Sequence, residues 1–256
     1  MGFGQEENKI FNRKLLKNNR NRISENYQKY SFLHHEIANR IVDNISGLNI
    51  SNKIASSLEI GAIDGYLSSQ IDAQKKIVID LDLQADEEFL PFKDNSFDLV
   101  VSNLNMHLIN EIPKFLIDVK NSLKEGGIFV ASFFGEENLS ELAHVLYITE
   151  NEIYGGVSPK MPPTIDVKTS ANLLAKAGFK NPISNFEKIE VEYFDPMNFF
   201  KDLKNMGQGN ILNKRSRRFM TREFLNKISD NYRKIYGNSE GKITATFEVI
   251  TITAWK

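Results

Sequence analysis

From residue 55 onward, short apolar runs alternate with amphipathic segments. Ala55 to Ile60, Ile77 to Leu81, Phe97 to Val101 and Ile128 to Phe134 are too uniformly apolar to have a wet face, which predicts strands of a buried parallel sheet. Between and after them come helical segments: one beginning near Tyr66, Ile112 to Leu123 with Gly126-Gly127 as its stop, Thr169 to Ala177 closed by Gly178, Asn198 to Met206, and Thr221 to Tyr236. Phe186 to Tyr193 and Thr244 to Trp255 alternate in two-residue steps and predict two strands pairing with each other as an antiparallel edge. Near the start, Phe32, Ile37, Ile41 and Ile45 recur at helical spacing, so a helix is expected from a cap at Ser24 to about Ile45. A polar, basic stretch, Ile10 to Asn21, precedes it. The pattern predicts an α/β protein with a doubly wound, mostly parallel sheet. Residues 1–48 are expected to form a helical cap and residues 49–256 the main domain, compact overall.

Composition narrows the chemistry. The chain has 256 residues, enough for one large α/β domain, with 32 basic and 33 acidic side chains. That balance predicts neither a nucleic-acid partner nor a polybasic membrane anchor. The absence of cysteine excludes disulfides, thiolate zinc sites, iron–sulfur ligation and cysteine nucleophiles. No apolar run approaches the roughly 20 residues that span a bilayer, and the polar start, Met1 to Lys9, reads as neither secretory signal nor transit peptide. A cytoplasmic protein is expected.

Three stretches carry candidate chemistry. In Leu58-Glu59-Ile60-Gly61-Ala62-Ile63-Asp64-Gly65, a strand runs into a glycine turn and a helix, where backbone approaches a ligand closely; Gly61 and Gly65 supply the turn and Glu59 suits a cationic group such as an amino acid's amine. The second runs from Asp86-Glu87-Glu88-Phe89-Leu90-Pro91-Phe92 to Phe97-Asp98-Leu99-Val100. The third, Asn103 to Asn110, follows a strand and so falls at the carboxyl edge of the sheet, where such folds bind ligands. It contains His107, the histidine in a predicted site position and the candidate base, and Asn103 at the strand end. His34 and His35 are expected on the surface or on a lid. No metal site is expected, since a two-histidine, one-carboxylate triad cannot be assembled around His107.

The second stretch resembles the class I S-adenosylmethionine (SAM)-dependent methyltransferases, and the resemblance implies their Rossmann-like fold and SAM as cofactor. It also implies that Asp86 contacts the adenine amino group, that Glu87 and Phe89 flank the ring, and that Asp80 or Asp82 holds the ribose hydroxyls. Phe134-Gly135, Leu139-Ser140-Glu141-Leu142, Gly155-Gly156-Val157-Ser158-Pro159, Ala177-Gly178-Phe179 and the ending Ala254-Trp255-Lys256 are similar to the methyltransferase-like complex I assembly factors of mitochondria and their alphaproteobacterial relatives. That likeness implies a protein substrate, a complex I subunit, and an activity described for the mitochondrial members as arginine hydroxylation. A more distant likeness is to the malonyl-carrier-protein O-methyltransferase of biotin synthesis.

Two departures stand out. Ile63 occupies a position where the family has glycine, so either the turn differs in shape or the methionine end of SAM binds more weakly. Few residues separate Asp82 from Asp86, so a helix and strand between the second and third strands are shortened or missing. These departures keep open a third reading beside the two enzymes, a non-catalytic assembly factor. Met161-Pro162-Pro163 reads as a lid or an ordinary crossover, and Lys214, Arg215, Arg217, Arg218 and Arg222 read as a partner patch or a solvated helix start.

Overall fold

The computed structural model describes residues 9–23, 26–48, 53–80, 87–216, 218 and 220–256. Asp82 and Asp86 lie outside these, as do Ser24, Arg217 and Phe219. Six strands, β1 (Ser56–Ile60), β2 (Lys75–Ile79), β3 (Phe97–Ser102), β4 (Leu123–Phe134), β5 (Lys180–Tyr193) and β6 (Ile243–Trp255), form one sheet in the order β2-β1-β3-β4-β6-β5. β1 pairs in parallel with β2 and β3, and β3 with β4, whereas β4 and β6 are antiparallel. The helices are α1 (Arg13–Ile23), α2 (Phe32–Gly47), α3 (Tyr66–Gln70), α4 (Ile112–Ser122), α5 (Ser140–Tyr154), α6 (Val167–Lys176), α7 (Pro196–Asn205) and α8 (Arg222–Tyr236). Among the described residues none is long and apolar enough to cross a membrane.

The chain divides into two compact units. The first, residues 24–135, 164–186 and 249–256, contains α2 to α4, α6 and the parallel part of the sheet. The second, residues 1–23, 136–163 and 187–248, contains α1, α5, α7 and α8. In the first, Leu58, Ile60, Val100, Phe129, Phe133 and Ile252 are wholly buried and pack with Phe115 and Val119 of α4 and Leu174 of α6. Those strands read as continuous apolar runs because both faces are covered. In the second, α5 and α8 are joined by a buried bond from Asn231 Nδ2 to Thr149 Oγ1 (3.0 Å) and by Tyr154 stacked on Phe224.

The elements differ from expectation in several places, among them α5, which has no counterpart in the expected helices, and β5, which starts at Lys180 and not at Phe186. α2 begins at Phe32, after a 3₁₀ turn at Tyr27–Lys29, and the basic stretch before it is helical, as α1. α4 stops at Ser122, before the glycine pair, and β4 has already begun at Leu123. Gly126-Gly127 therefore lies inside a strand irregularity: partners of β3 jump from Leu123, opposite Phe97, to Ile128, opposite Leu99. Gly126 takes a φ of +74°, and a Cβ on Gly127 would stand 2.8 Å from the Lys124 carbonyl oxygen, so the bulge needs glycine at both places. Between β2 and β3 no strand occurs among the described residues, in line with the shortened segment. β5 is the neighbour of β6 at the sheet edge.

Asp98 ties three strands at the edge opposite the glycine turn. Its carboxylate accepts from the Ser56 amide (2.8 Å) and hydroxyl (2.9 Å) at the start of β1, and from Lys124 Nζ (2.9 Å) at the start of β4. Burial opposes its ionisation, but Lys124 and the Ser56 donors outweigh burial and hold the carboxyl below its ordinary value of 3.8. A depressed folded-state value means that the stabilisation is present above about pH 4 and is lost as pH falls through the folded-state value. Asp98→Asn is expected to cost about 1–3 kcal/mol in urea unfolding at pH 7. The gap to the native protein should close as the titration is repeated at falling pH below 4. An unchanged gap would show that Asp98 contributes by shape and not by charge.

Candidate functional site

The site sits at the carboxyl ends of β1 and β3, where the first unit opens a small cleft lined by Glu59, Gly61, Ile63 and Asn103. Its floor is the turn after β1. Parallel pairing places Ile60 beside Ile79, and the chain stays bonded to β2 beyond the strand: the amides of Gly61 (2.9 Å) and Ala62 (3.3 Å) both donate to the Ile79 carbonyl. This sharp departure puts Gly61 at a φ of +78°. A Cβ there would meet Cγ of the buried Asn105 side chain at 2.2 Å, so conformation and space both require glycine. Gly65, at +69°, leads into α3 with open space where a side chain would be. Ile63 lies between them and lines the cleft without a positive φ. The turn thus has a shape in which a β-branched residue is unstrained at this position.

Glu59 lies one residue before the end of β1, 3% exposed, and its carboxylate accepts from the Ser68 amide of α3 (2.8 Å). Burial raises its pKa; the Ser68 bond pulls the other way and loses, and the Asp64 charge adds to the rise. A buried carboxylate lining a cleft is a strong attractor for a cation that replaces its lost water. Asp80 follows β2 directly, half-buried, next to the carbonyl that anchors the glycine turn. Asp82, its alternative for the ribose, and Asp86, expected at the adenine, lie outside the described residues.

Asn103 follows β3 and lines the cleft, donating to the His34 carbonyl (2.8 Å) and accepting from Ser132 Oγ (3.0 Å). It therefore links the sheet edge to α2. Glu87 is fully buried, and Phe89 is 58% exposed with Lys114 Nζ 4.6 Å from its ring centre. His107 is buried in the 3₁₀ turn Met106–Leu108, its ring 4.9 Å from that of Phe134, and it is not among the cleft-lining residues.

The imidazoles at the cleft come from α2. His34 is buried edge-on to Tyr27 at 5.6 Å. His35 stacks on Tyr66 at 3.9 Å and is bonded to Asp64 through Nε2 (2.7 Å); Tyr66 in turn donates to Asn39 (3.0 Å). Residues of α2 and the start of α3 thus wall the cleft opposite the glycine turn. Sequence reasoning put His34 and His35 on the surface or a lid because helical periodicity marks only the apolar stripe. The one available signal was their place one and two residues after Leu33, at the edge of that stripe.

A methyltransferase domain family model matches residues 42–131, which cover β1 to β4 up to Ala131. The arginine-hydroxylase NDUFAF5, mitochondrial, of Mus musculus is 32% identical over 268 aligned positions, covering 96% of this chain and 77% of that protein. A malonyl-[acyl-carrier protein] O-methyltransferase of Gallionella capsiferriformans is 24% identical, covering 96% of this chain and 92% of that enzyme. Among solved structures, the YcgJ protein of Bacillus subtilis superposes with a TM-score of 0.58 at 15% identity, over 87% of this chain and 99% of its own. Fold and sequence together define a class I SAM-dependent methyltransferase-like enzyme with SAM as its cofactor. Within that class, the chain belongs to the family that includes the mitochondrial arginine-hydroxylase NDUFAF5.

Gly61→Ala is expected to destabilise the protein through two separable effects. The left-handed backbone costs about 1–2 kcal/mol, and the contact with Asn105 adds to it. Urea denaturation of Gly61→Ala with and without Asn105→Ala separates them: the second substitution should recover the steric part and leave the backbone part. Full recovery would show that the positive φ carries no strain.

Proposed function

We propose that this enzyme binds SAM in the cleft of the first unit and acts on a protein substrate in respiratory complex I assembly, by methyl transfer or, with dioxygen and a two-electron reductant supplied from outside the chain, by arginine hydroxylation. The observation that carries the cofactor part is the Gly61 turn bonded to the end of β2, with Glu59 buried beneath it and Asp80 at its side. These residues fit the group. Glu59 would take the amino group of the methionine end, the Gly61–Gly65 turn its backbone and Asp80 the ribose hydroxyls, and the family resemblance assigns Glu87 and Phe89 to the adenine end. The cleft is lined by Glu59, the Gly61–Tyr66 turn, Asn103 and the His34–His35 pair, a lining that suits the amino-acid end of the cofactor.

When bound, SAM supplies an electrophilic methyl carbon. The chain's own contribution is orientation: Glu59 and Asp80 fix the two ends of the cofactor, and the α2 wall limits water. His35, at the cleft with Nε2 bonded to Asp64 and Nδ1 3.4 Å from Ser31 Oγ, replaces the buried His107 as the candidate proton acceptor for a nucleophile that must lose a proton. Support for the protein substrate is the match to the mouse arginine-hydroxylase over 96% of the chain. A carrier-protein O-methyltransferase is the second reading, favoured by coverage of 92% of the Gallionella enzyme.

Calorimetric titration with SAM and S-adenosylhomocysteine tests the cofactor site. Native protein is expected to bind both. Asp80→Ala and Glu59→Gln should each weaken binding about tenfold or more, roughly 1.4 kcal/mol, with the fold retained. Incubation with a complex I subunit or with malonyl-carrier protein, followed by intact mass measurement, separates the reactions by a gain of one methyl group or one oxygen. Failure of the native protein to bind either ligand would overturn the enzyme reading in favour of a binding-only assembly factor.

A further inference from the structure

The near-neutral charge of the chain conceals a strong separation of charge in the second unit. Residues 9–23 contain six basic side chains and no acid; residues 207–222 contain five and no acid. At the chain's average composition, stretches of this combined length would hold about four acids, so two acid-free segments are a marked departure. The segments are nearly 200 residues apart in sequence, and the fold joins them. Phe11 bridges Leu212 in antiparallel fashion. The Asn12 amide donates to the Ile211 carbonyl (2.8 Å), the Asn213 amide to the Ile10 carbonyl (2.9 Å), and Asn213 Nδ2 to the Lys9 carbonyl (2.7 Å). Gly207 and Gly209 let the second segment run close against Ile23 and Asn19 of α1; a Cβ on Gly209 would stand 2.9 Å from the Asn19 side chain.

Six cations of this region, Lys14, Arg22, Lys214, Arg215, Arg218 and Arg222, make no ion pair with a described carboxylate. All but the half-buried Arg215 are exposed. The nearby acid Glu150 is already engaged by Ser158 and Lys160. Arg218 lies over the Tyr154 ring at 4.6 Å, which holds it in place without neutralising it. Holding like charges together is unfavourable in isolation, and it becomes favourable when an anionic partner is bound.

We infer that these two segments form one docking surface for an acidic polypeptide segment. The inference rests on the protein-substrate reading for the source of that segment. It also adds a constraint: a substrate that presents an arginine must flank it with acids to dock here. Exposed Ile10 and Met220 among the cations offer aliphatic contacts that suit a polypeptide. A nucleic acid would call for free aromatic faces, and the Tyr154 ring already carries Arg218. A membrane surface would call for an open apolar face on the basic helix, and α1 buries its Leu16 and Ile23.

The test uses the full chain and a fluorescein-labelled peptide of glutamate and leucine, read by anisotropy at about 0.15 M ionic strength. A lysine–leucine peptide, phosphatidylserine vesicles and a single-stranded oligonucleotide serve as comparisons. The acidic peptide is expected to bind, and to bind more tightly than the other three. Lys14→Glu/Arg22→Glu and Lys214→Glu/Arg218→Glu/Arg222→Glu should each weaken it about tenfold or more. Lys75→Glu/Lys76→Glu, on exposed β2 positions of the other unit, should not. Thermal unfolding and SAM titration run in parallel, and all variants should match the native protein in both. Binding that is insensitive to either reversal, or tighter to vesicles or oligonucleotide, overturns the proposal. Loss of SAM binding by native protein with peptide binding intact would overturn the enzyme reading and leave the docking surface standing.

Discussion

The site depends on one carbonyl. Ile79 ends β2, and its oxygen accepts from the amides of both Gly61 and Ala62. In a regular parallel ladder the chain leaving β1 would take one such bond and continue. Taking two from consecutive residues forces the chain to turn at once, and the turn is possible only because Gly61 can adopt a φ of +78°. Everything that lines the cleft follows from where this turn ends. α3 starts close enough for its Ser68 amide to reach back to Glu59, and Asp64 is presented upward to His35. The space that glycine leaves is filled by Asn105 from the loop after β3, which locks β1 and β3 at the same edge.

Glu59 shows how this edge of the sheet differs from the other. The opposite edge also has a carboxylate, Asp98, but it is surrounded by donors and by Lys124, and these hold it charged and satisfied. Glu59 has one backbone donor, and burial pushes its pKa up. A group in that state gains more from a bound cation than one already paired. Two carboxylates at opposite ends of one strand layer are therefore in different states: one is paired and clamps the fold, the other is buried with its ionisation opposed.

Much of this was legible in the chain. The parallel core announced itself through Leu58, Val100 and Phe129, because a strand covered on both faces has no polar alternation to confuse the signal. Glu59, Gly61 and Asn103 were legible because they end apolar runs, and in this topology the ends of strands are where ligands sit. Helix content was harder. α1 was read only as a basic stretch, since its apolar residues are few and its helicity rests on contacts with residues 207–213, which local sequence does not reveal. Gly126-Gly127 was read as a helix stop because glycine breaks helices; here it permits a bulge, and only the register between β3 and β4 distinguishes the two. His107 drew attention by its place after a strand, yet one 3₁₀ turn is enough to swing such a residue into the core beside Phe134. His35, on a helix far upstream, reached the cleft instead.

Charge illustrates the same limit from the other side. A net charge near zero argues against a protein that is attractive to polyanions everywhere. It says nothing about a protein that sorts its charges in space. The bonds from Lys9 to Asn12 onto Ile211 to Asn213 place two acid-free segments together, and the acids that balance them in the total lie elsewhere in the chain. Local fields fall off over about 8–10 Å at physiological salt, so acids beyond that radius do not neutralise this region for an approaching partner. The quantity that governs recognition is the charge within that radius, and it is set by backbone pairing.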